Sequence, residues 1–268
     1  SPSILGVILF LLIAIGIFQI LLRCGKEYFK NNCGRVEKEI ASSLLVLVSI
    51  QAALGGLRVT IETAGSPEIA AIFRVLHGCT AQAFLVGLVF LVVRLHWLAY
   101  RTNDTIYVSE GKWRCLRRGA FWTLTVIYIQ IVLAVTMRHA GAGLAIPTFP
   151  EAYTDGAWFP KSHNFYVDIN FTHTRIFALL IFILIIWNLV RAYKTSVDCR
   201  MIRFGLVFSL ITVILQAVLG IYVVWHAKEP RLTTFHVLFG SVLLGLTAFI
   251  YMRAWLLDKA SNVAKGIE

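Results

Sequence analysis

Apolar residues run for about twenty positions at a time along this chain, and short polar, mostly basic segments separate the runs. A helix of that length crosses the hydrocarbon of a bilayer and satisfies its own backbone there. The pattern predicts spans at about 3–23, 39–58, 73–98, 117–137, 172–193, 201–225 and 232–257. The expected fold is an all-α integral membrane protein with about seven transmembrane helices. What remains is loops, too short for a separate soluble catalytic domain.

Composition agrees with that reading. The 268 residues are 58% hydrophobic and only 15% charged, with a mean hydropathy of +0.76, which excludes an ordinary water-soluble globule. The net charge of +11 is not a nucleic-acid footprint, because it lies in the short segments between spans. Segments 23–40, 94–119, 191–203 and 253–268 hold 18 of the 25 Lys and Arg, among them Arg23, Lys26, Lys30, Arg35, Lys38, Arg114, Arg117 and Arg118. Basic loops stay in the cytoplasm and face anionic lipid. The expected location is the cell membrane, with the amino end of this chain outside and the carboxyl end inside. The first span reads as a retained helix and not a signal peptide, since no basic segment precedes it. Of the five cysteines, Cys24, Cys33, Cys115 and Cys199 fall on the cytoplasmic side and Cys79 on the outer side, so no disulfide is expected outside.

The chain repeats itself. Gln51-Ala52-Ala53-Leu54-Gly55 and Gln216-Ala217-Val218-Leu219-Gly220 each stand near the outer end of a helix running outward. Each is followed by a short loop and a returning helix with a His near its start, His77 or His236. Two pseudo-repeated helical bundles follow: residues 1–100 with three helices, a cytoplasmic linker at 101–116, and residues 117–268 with four. By this reckoning a leading helix of the first bundle is missing, and upstream residues are expected.

Six of the seven histidines (His77, His139, His163, His173, His226 and His236) map to the outer half or outer loops, and His96 lies near the inner edge. An imidazole inside a membrane helix needs a partner and is a functional candidate; the plain alternative is a hydrogen bond to a nearby carbonyl or hydroxyl. His173 and His236 lie at similar depth on helices running the same way. Two neutral imidazoles facing each other across a four-helix bundle suit axial ligation of a haem iron. Arg138, Arg175, Arg231 and Lys228 fall at the level where propionates would need cations; interfacial anchoring is their alternative role. Phe149, Trp158, Phe171 and Trp225 are available to cover a porphyrin face. His77 is the equivalent ligand in the first bundle, with Arg74 and Arg58 beside it and Glu62 and Glu68 in its loop. The segment 138–150, rich in small residues and closed by Pro147 and Pro150, predicts a structured turn over a pocket.

At these residues the sequence resembles the haem A synthase family of cytochrome oxidase assembly. Arg138-His139-Ala140-Gly141-Ala142-Gly143-Leu144 with Pro147 is similar to the family's Arg-x-x-Gly-Ser-Gly-Leu segment and its following Pro. His173 with Arg175 is similar to its His-Arg helix start, with one Thr inserted. The two Gln-x-x-Leu-Gly segments, His77 and His236 complete the likeness over nearly the whole chain. The resemblance implies haem b held between His173 and His236 as cofactor, with Arg138 and Arg175 near its propionates. It implies haem O as substrate at His77, Arg74 and Arg58, its C8 methyl oxidised to a formyl group. The family's first small-residue motif and its Glu-x-x-His-Arg segment are absent from this sequence, so no catalytic residue is assigned. The partners implied are haem O synthase and cytochrome oxidase assembly factors; the electron donor and a homo-oligomeric state stay open. Two other classes compete: a non-enzymatic b-type cytochrome taking electrons from quinol, and a transporter built on repeats.

Overall fold

The computed structural model describes residues 35–99, 112–194 and 199–263; the first expected span at 3–23, with Cys24 and Cys33, lies outside the described residues. Six helices among them are long and apolar enough to cross a membrane. They are α1 (Arg35–Thr63), α2 (Pro67–Ala99), α3 (Lys112–His139), α4 (Phe165–Lys194), α5 (Arg200–Trp225) and α6 (Pro230–Val263). The protein is an all-α, multi-pass membrane protein. Most of these helices overrun the apolar stretches by several residues. Hydropathy marks where hydrocarbon ends, whereas a helix continues until a cap stops it. α4, for instance, begins at Phe165 and not near 172, because the Asn164 side chain accepts the backbone N–H groups of Tyr166 and Val167 at 3.0 Å each.

Apolar side chains form most of the interior and also cover the outer face of the helices. Large apolar side chains such as Val92, Trp122, Leu179 and Phe208 face outward, and Thr123, Asn188, Ser209 and Thr247 are buried. In hydrocarbon, polar groups gain by turning to one another in the interior.

The chain divides into two compact units, residues 1–103 and 104–268. In the first, α1 and α2 form an antiparallel pair around Ala41, Leu44, Val48, Phe84 and Leu91. Gly65, at φ +83°, makes the tight turn, and Pro67 opens the returning helix, where its missing N–H costs nothing. At the far end Arg94 closes on the fully buried carboxylate of Glu37.

In the second unit α3 packs on α4 and α6, and α5 packs on α4 and α6. The four helices form a ring in which α4 and α6 are diagonally opposed. Thr123, Asn188, Ser209 and Thr247, one from each helix, line a small cavity of about 10 Å³ at its centre. Asn188 donates to Thr123 Oγ1 at 2.8 Å. Gly119 makes that layer possible: a Cβ there would stand 2.2 Å from Asn188 Oδ1 and 2.7 Å from the Trp187 ring. Arg117 closes the end of the unit on Asp258 at 2.7 Å.

Gly119→Ala is expected to destabilise the second unit by about 1–3 kcal/mol, the usual cost of overpacking. Gly56→Ala, with open space at its Cβ, is expected to be neutral or stabilising by up to about 1 kcal/mol. Thermal melts of the detergent-solubilised protein compare the two; equal melting temperatures would contradict the packing described.

Candidate functional site

The repeated Gln and Gly positions build the same clamp twice. In the second unit, the Nδ1–H of His236 on α6 reaches the backbone carbonyl of Gln216 on α5 at 3.1 Å, and its Nε2 lies 3.4 Å from Gln216 Nε2. In the first unit, His77 Nδ1 lies 3.0 Å from the Gln51 carbonyl and Nε2 3.4 Å from Gln51 Nε2. A helical carbonyl already accepts the N–H four residues on, and its second lone pair is open only if residue i+4 leaves room. That residue is Gly55 or Gly220. A Cβ at either would stand 3.1 Å from the Cε1 of the imidazole. The Gln-x-x-x-Gly spacing is thus the footprint of an imidazole on a helix backbone. Donation from Nδ1 makes Nε2 the nitrogen with the lone pair, the tautomer a metal ligand needs.

His173 reaches the interior differently. It lies on a π-helical turn, Thr172–Phe177, set into α4; such turns redirect side chains and often occur at functional sites. The residue is buried, its Nδ1 lacks a hydrogen-bond partner, and its carbonyl accepts Gln130 Nε2 of α3 at 2.8 Å. His173 and His236 stand on the two diagonally opposed helices and lie within coulombic reach of each other.

The segment after α3 is well ordered. Gly141 turns the chain at φ +76° into a 3₁₀ turn, Ala142–Leu144, and Asn170, fully buried on α4, donates to the Ala142 carbonyl at 2.9 Å. Ile146 and Ala152 pack on Val167 beneath it. Arg175 holds the rest: it donates to the carbonyls of Thr148 at 2.8 Å and Glu151 at 3.2 Å and to Thr174 Oγ1 at 2.6 Å. Its guanidinium lies over the rings of Phe149 and Phe171. Lys228 lies against Gly143 on the same side. Beyond the spans, Glu229 accepts the Leu232 N–H at the start of α6, which holds its carboxyl below the usual range. Asp155 is held low in the same sense by Lys161.

The remaining candidates divide. Arg138, on the last turn of α3, is exposed, as are Lys228 and Arg231. In the first unit Arg58 lies within coulombic reach of His77, with a buried Nε that has no hydrogen-bond partner. Arg74 instead pairs with Glu62 at 2.8 Å across the turn, so that carboxylate is bound up in an ion pair, and Glu68 is exposed. His163 pairs with Asp168 at 2.8 Å and His226 stacks on Tyr222, which gives both a local role. Cys79, Cys115 and Cys199 are partly buried. Sequence reasoning passed over Gln130 and Asn170. Their signal was available: each is an amide among apolar neighbours, where an unpartnered amide is costly.

The chain matches the COX15-CtaA family model, described as cytochrome oxidase assembly protein, over residues 3–248. Proteins named heme A synthase from Staphylococcus aureus strains MSSA476, JH9 and Newman are each 27% identical to it over 172 residues, 64% of this chain and 52% of the relative. The chain spans about half the length of these curated relatives.

Arg175→Leu removes the two hydrogen bonds that hold the 148–151 segment, to the carbonyls of Thr148 and Glu151. Each charge-assisted bond contributes about 1.5–3 kcal/mol, so the segment is expected to open at least tenfold more often. Chymotrypsin should then cut after Tyr153 under conditions where the unaltered protein resists, while Arg138→Leu stays resistant. Equal resistance of both variants would show that Arg175 does not hold the loop.

Proposed function

Because the chain belongs to the cytochrome oxidase assembly protein family, matched over residues 3–248, we propose that it acts as a haem A synthase. The reaction is oxidation of the C8 methyl group of haem O, through hydroxylated stages, to the formyl group of haem A. The name carried by its relatives supports this.

The observation that carries the reading is the pair His173 and His236 on diagonally opposed helices of one bundle. The residues fit a haem b. His173 presents a buried ring nitrogen with no partner, which burial penalises until a ligand satisfies it. The Nδ1–H of His236 is committed to the Gln216 carbonyl, which leaves its Nε2 for iron. Among the described residues no group of three or more His, Cys, Asp or Glu is placed to hold a metal ion; a haem needs only two protein donors, because the porphyrin supplies the other four. When bound, such a haem supplies one-electron transfer.

The chain's own residues would do the rest. The Gln216 carbonyl orients the His236 ring, and Gly220 admits it. Gln130 takes up the His173 carbonyl and steadies the π-helical turn. Arg138 offers an exposed guanidinium to a propionate. Arg175 fixes the covering loop and, with its buried Nε unpartnered, would be the second cation for a propionate. In the amino-terminal unit His77 is the iron ligand for substrate haem O, Arg58 supplies a nearby cation, and Arg74 holds the loop through Glu62. The basic ends of the helices face the cytoplasm and the histidines the outer side, as the distribution of Lys and Arg suggests.

The test is extraction of porphyrins from the full-length protein made in cells that supply haem O, identified by mass and by reduced pyridine spectra. His173→Ala and His236→Ala should lose haem b, and Gly220→Ala should bind it roughly 10-fold more weakly. His77→Ala should keep haem b and cease to form haem A. Haem b alone, with quinol-linked electron flow and an unaltered porphyrin, would replace the synthase by an electron-transferring b-type cytochrome.

A further inference from the structure

At the end of the second unit remote from the histidines, α3 and α6 flank a groove of about 380 Å³ lined by Arg117, Arg118, Phe121, Tyr251 and Trp255. Arg118 stands twelve residues before Gln130 on α3, about 18 Å along the helix axis. The groove is therefore separate from the histidine pair.

Its chemistry has two halves. On one side, Arg117 is tied to the buried carboxylate of Asp258 at 2.7 Å, which fixes α3 against α6 and neutralises that arginine. Arg118 is exposed and has no ion-pair partner among the described residues. Arg114, one turn earlier, is also exposed, and Lys259 lies over the Trp255 ring at 5.7 Å. With Lys112 and Arg253, six cations thus stand against one carboxylate among the described residues of these two helix ends. On the other side, the Phe121 and Tyr251 rings pack at 5.8 Å between centroids and with Trp255 give the groove an apolar wall. A free anion has no use for that wall, and an uncharged lipid has no use for the unpaired guanidinium.

We propose that this groove binds an anionic glycerophospholipid from the leaflet at the basic end, its phosphate on Arg118 and an acyl chain along Phe121, Tyr251 and Trp255. Basic pockets between transmembrane helices suit such headgroups, and aromatic side chains gather at this depth. The site does not depend on the haem reading, because none of its residues belongs to the histidine sites.

Native mass spectrometry of the full chain, released from nanodiscs containing phosphatidylcholine and phosphatidylglycerol, tests it. The unaltered protein should retain one phosphatidylglycerol in preference to phosphatidylcholine. Arg118→Gln should weaken retention about fivefold, the effect of one surface cation, and Arg118→Lys should restore most of it. Trp255→Ala should weaken it as well, while added inorganic phosphate leaves it unchanged. Equal retention of the two lipids, equal retention by Arg118→Gln and the unaltered protein, or displacement by inorganic phosphate would overturn the proposal. Arg118 is exposed, so its variants leave the fold intact, and an unchanged melting temperature checks that.

Discussion

An imidazole inside a membrane helix has two ring nitrogens to satisfy and no water to satisfy them with. Both units answer with the backbone of the neighbouring helix, since the Gln51 and Gln216 carbonyls take the Nδ1–H of His77 and His236. Much else follows from that bond. It requires a glycine four residues on and close approach of the two helices. The tight turns at Gly65 and at Ala227–Lys228, each followed by a proline that opens the returning helix, bring those helices back side by side. It also makes Nε2 the nitrogen with the lone pair, which the glutamine amide faces at 3.4 Å.

The two clamps differ in their surroundings. In the first unit Thr80 donates to Gln51 Oε1, whereas Gln216 Oε1 is buried without a hydrogen-bond partner. Seventeen residues beyond each His the chain carries an arginine, Arg94 or Arg253, and the first closes on Glu37. The position corresponding to Glu37 in the second unit is Ile202, fully buried, and the ion pair that closes that unit is Arg117 with Asp258 instead. The repeat preserves the imidazole support, and the rest of each unit has found its own means of closing the helix ends.

The second unit assembles its polar groups by level. At one end the loop after α3 is held by Asn170 and Arg175, which spend their donors on backbone carbonyls that would otherwise be left in or near hydrocarbon. Beneath the loop lie His173 and His236, then the Thr123–Asn188 layer, and at the far end the Arg117–Asp258 pair. Each level joins residues from different helices, so the bundle is held by a few polar contacts within a mostly apolar interior.

The lengths of the apolar runs by themselves determined that the protein spans a membrane as helices, because helix rise and bilayer thickness leave little choice. The sequence also showed the repeat and singled out His77, His173 and His236, since a titratable group in an apolar run stands out. The helix ends came out longer than the apolar runs, because caps such as Asn164 act through backbone groups that hydropathy does not register. Tertiary structure alone decided the ring order that sets α4 opposite α6, the π-helical turn under His173, and the bonds from Gln130 to His173 and from Arg175 to Thr148 and Glu151. Those contacts join residues far apart in the chain and end largely on backbone carbonyls, which every residue carries alike and no letter marks.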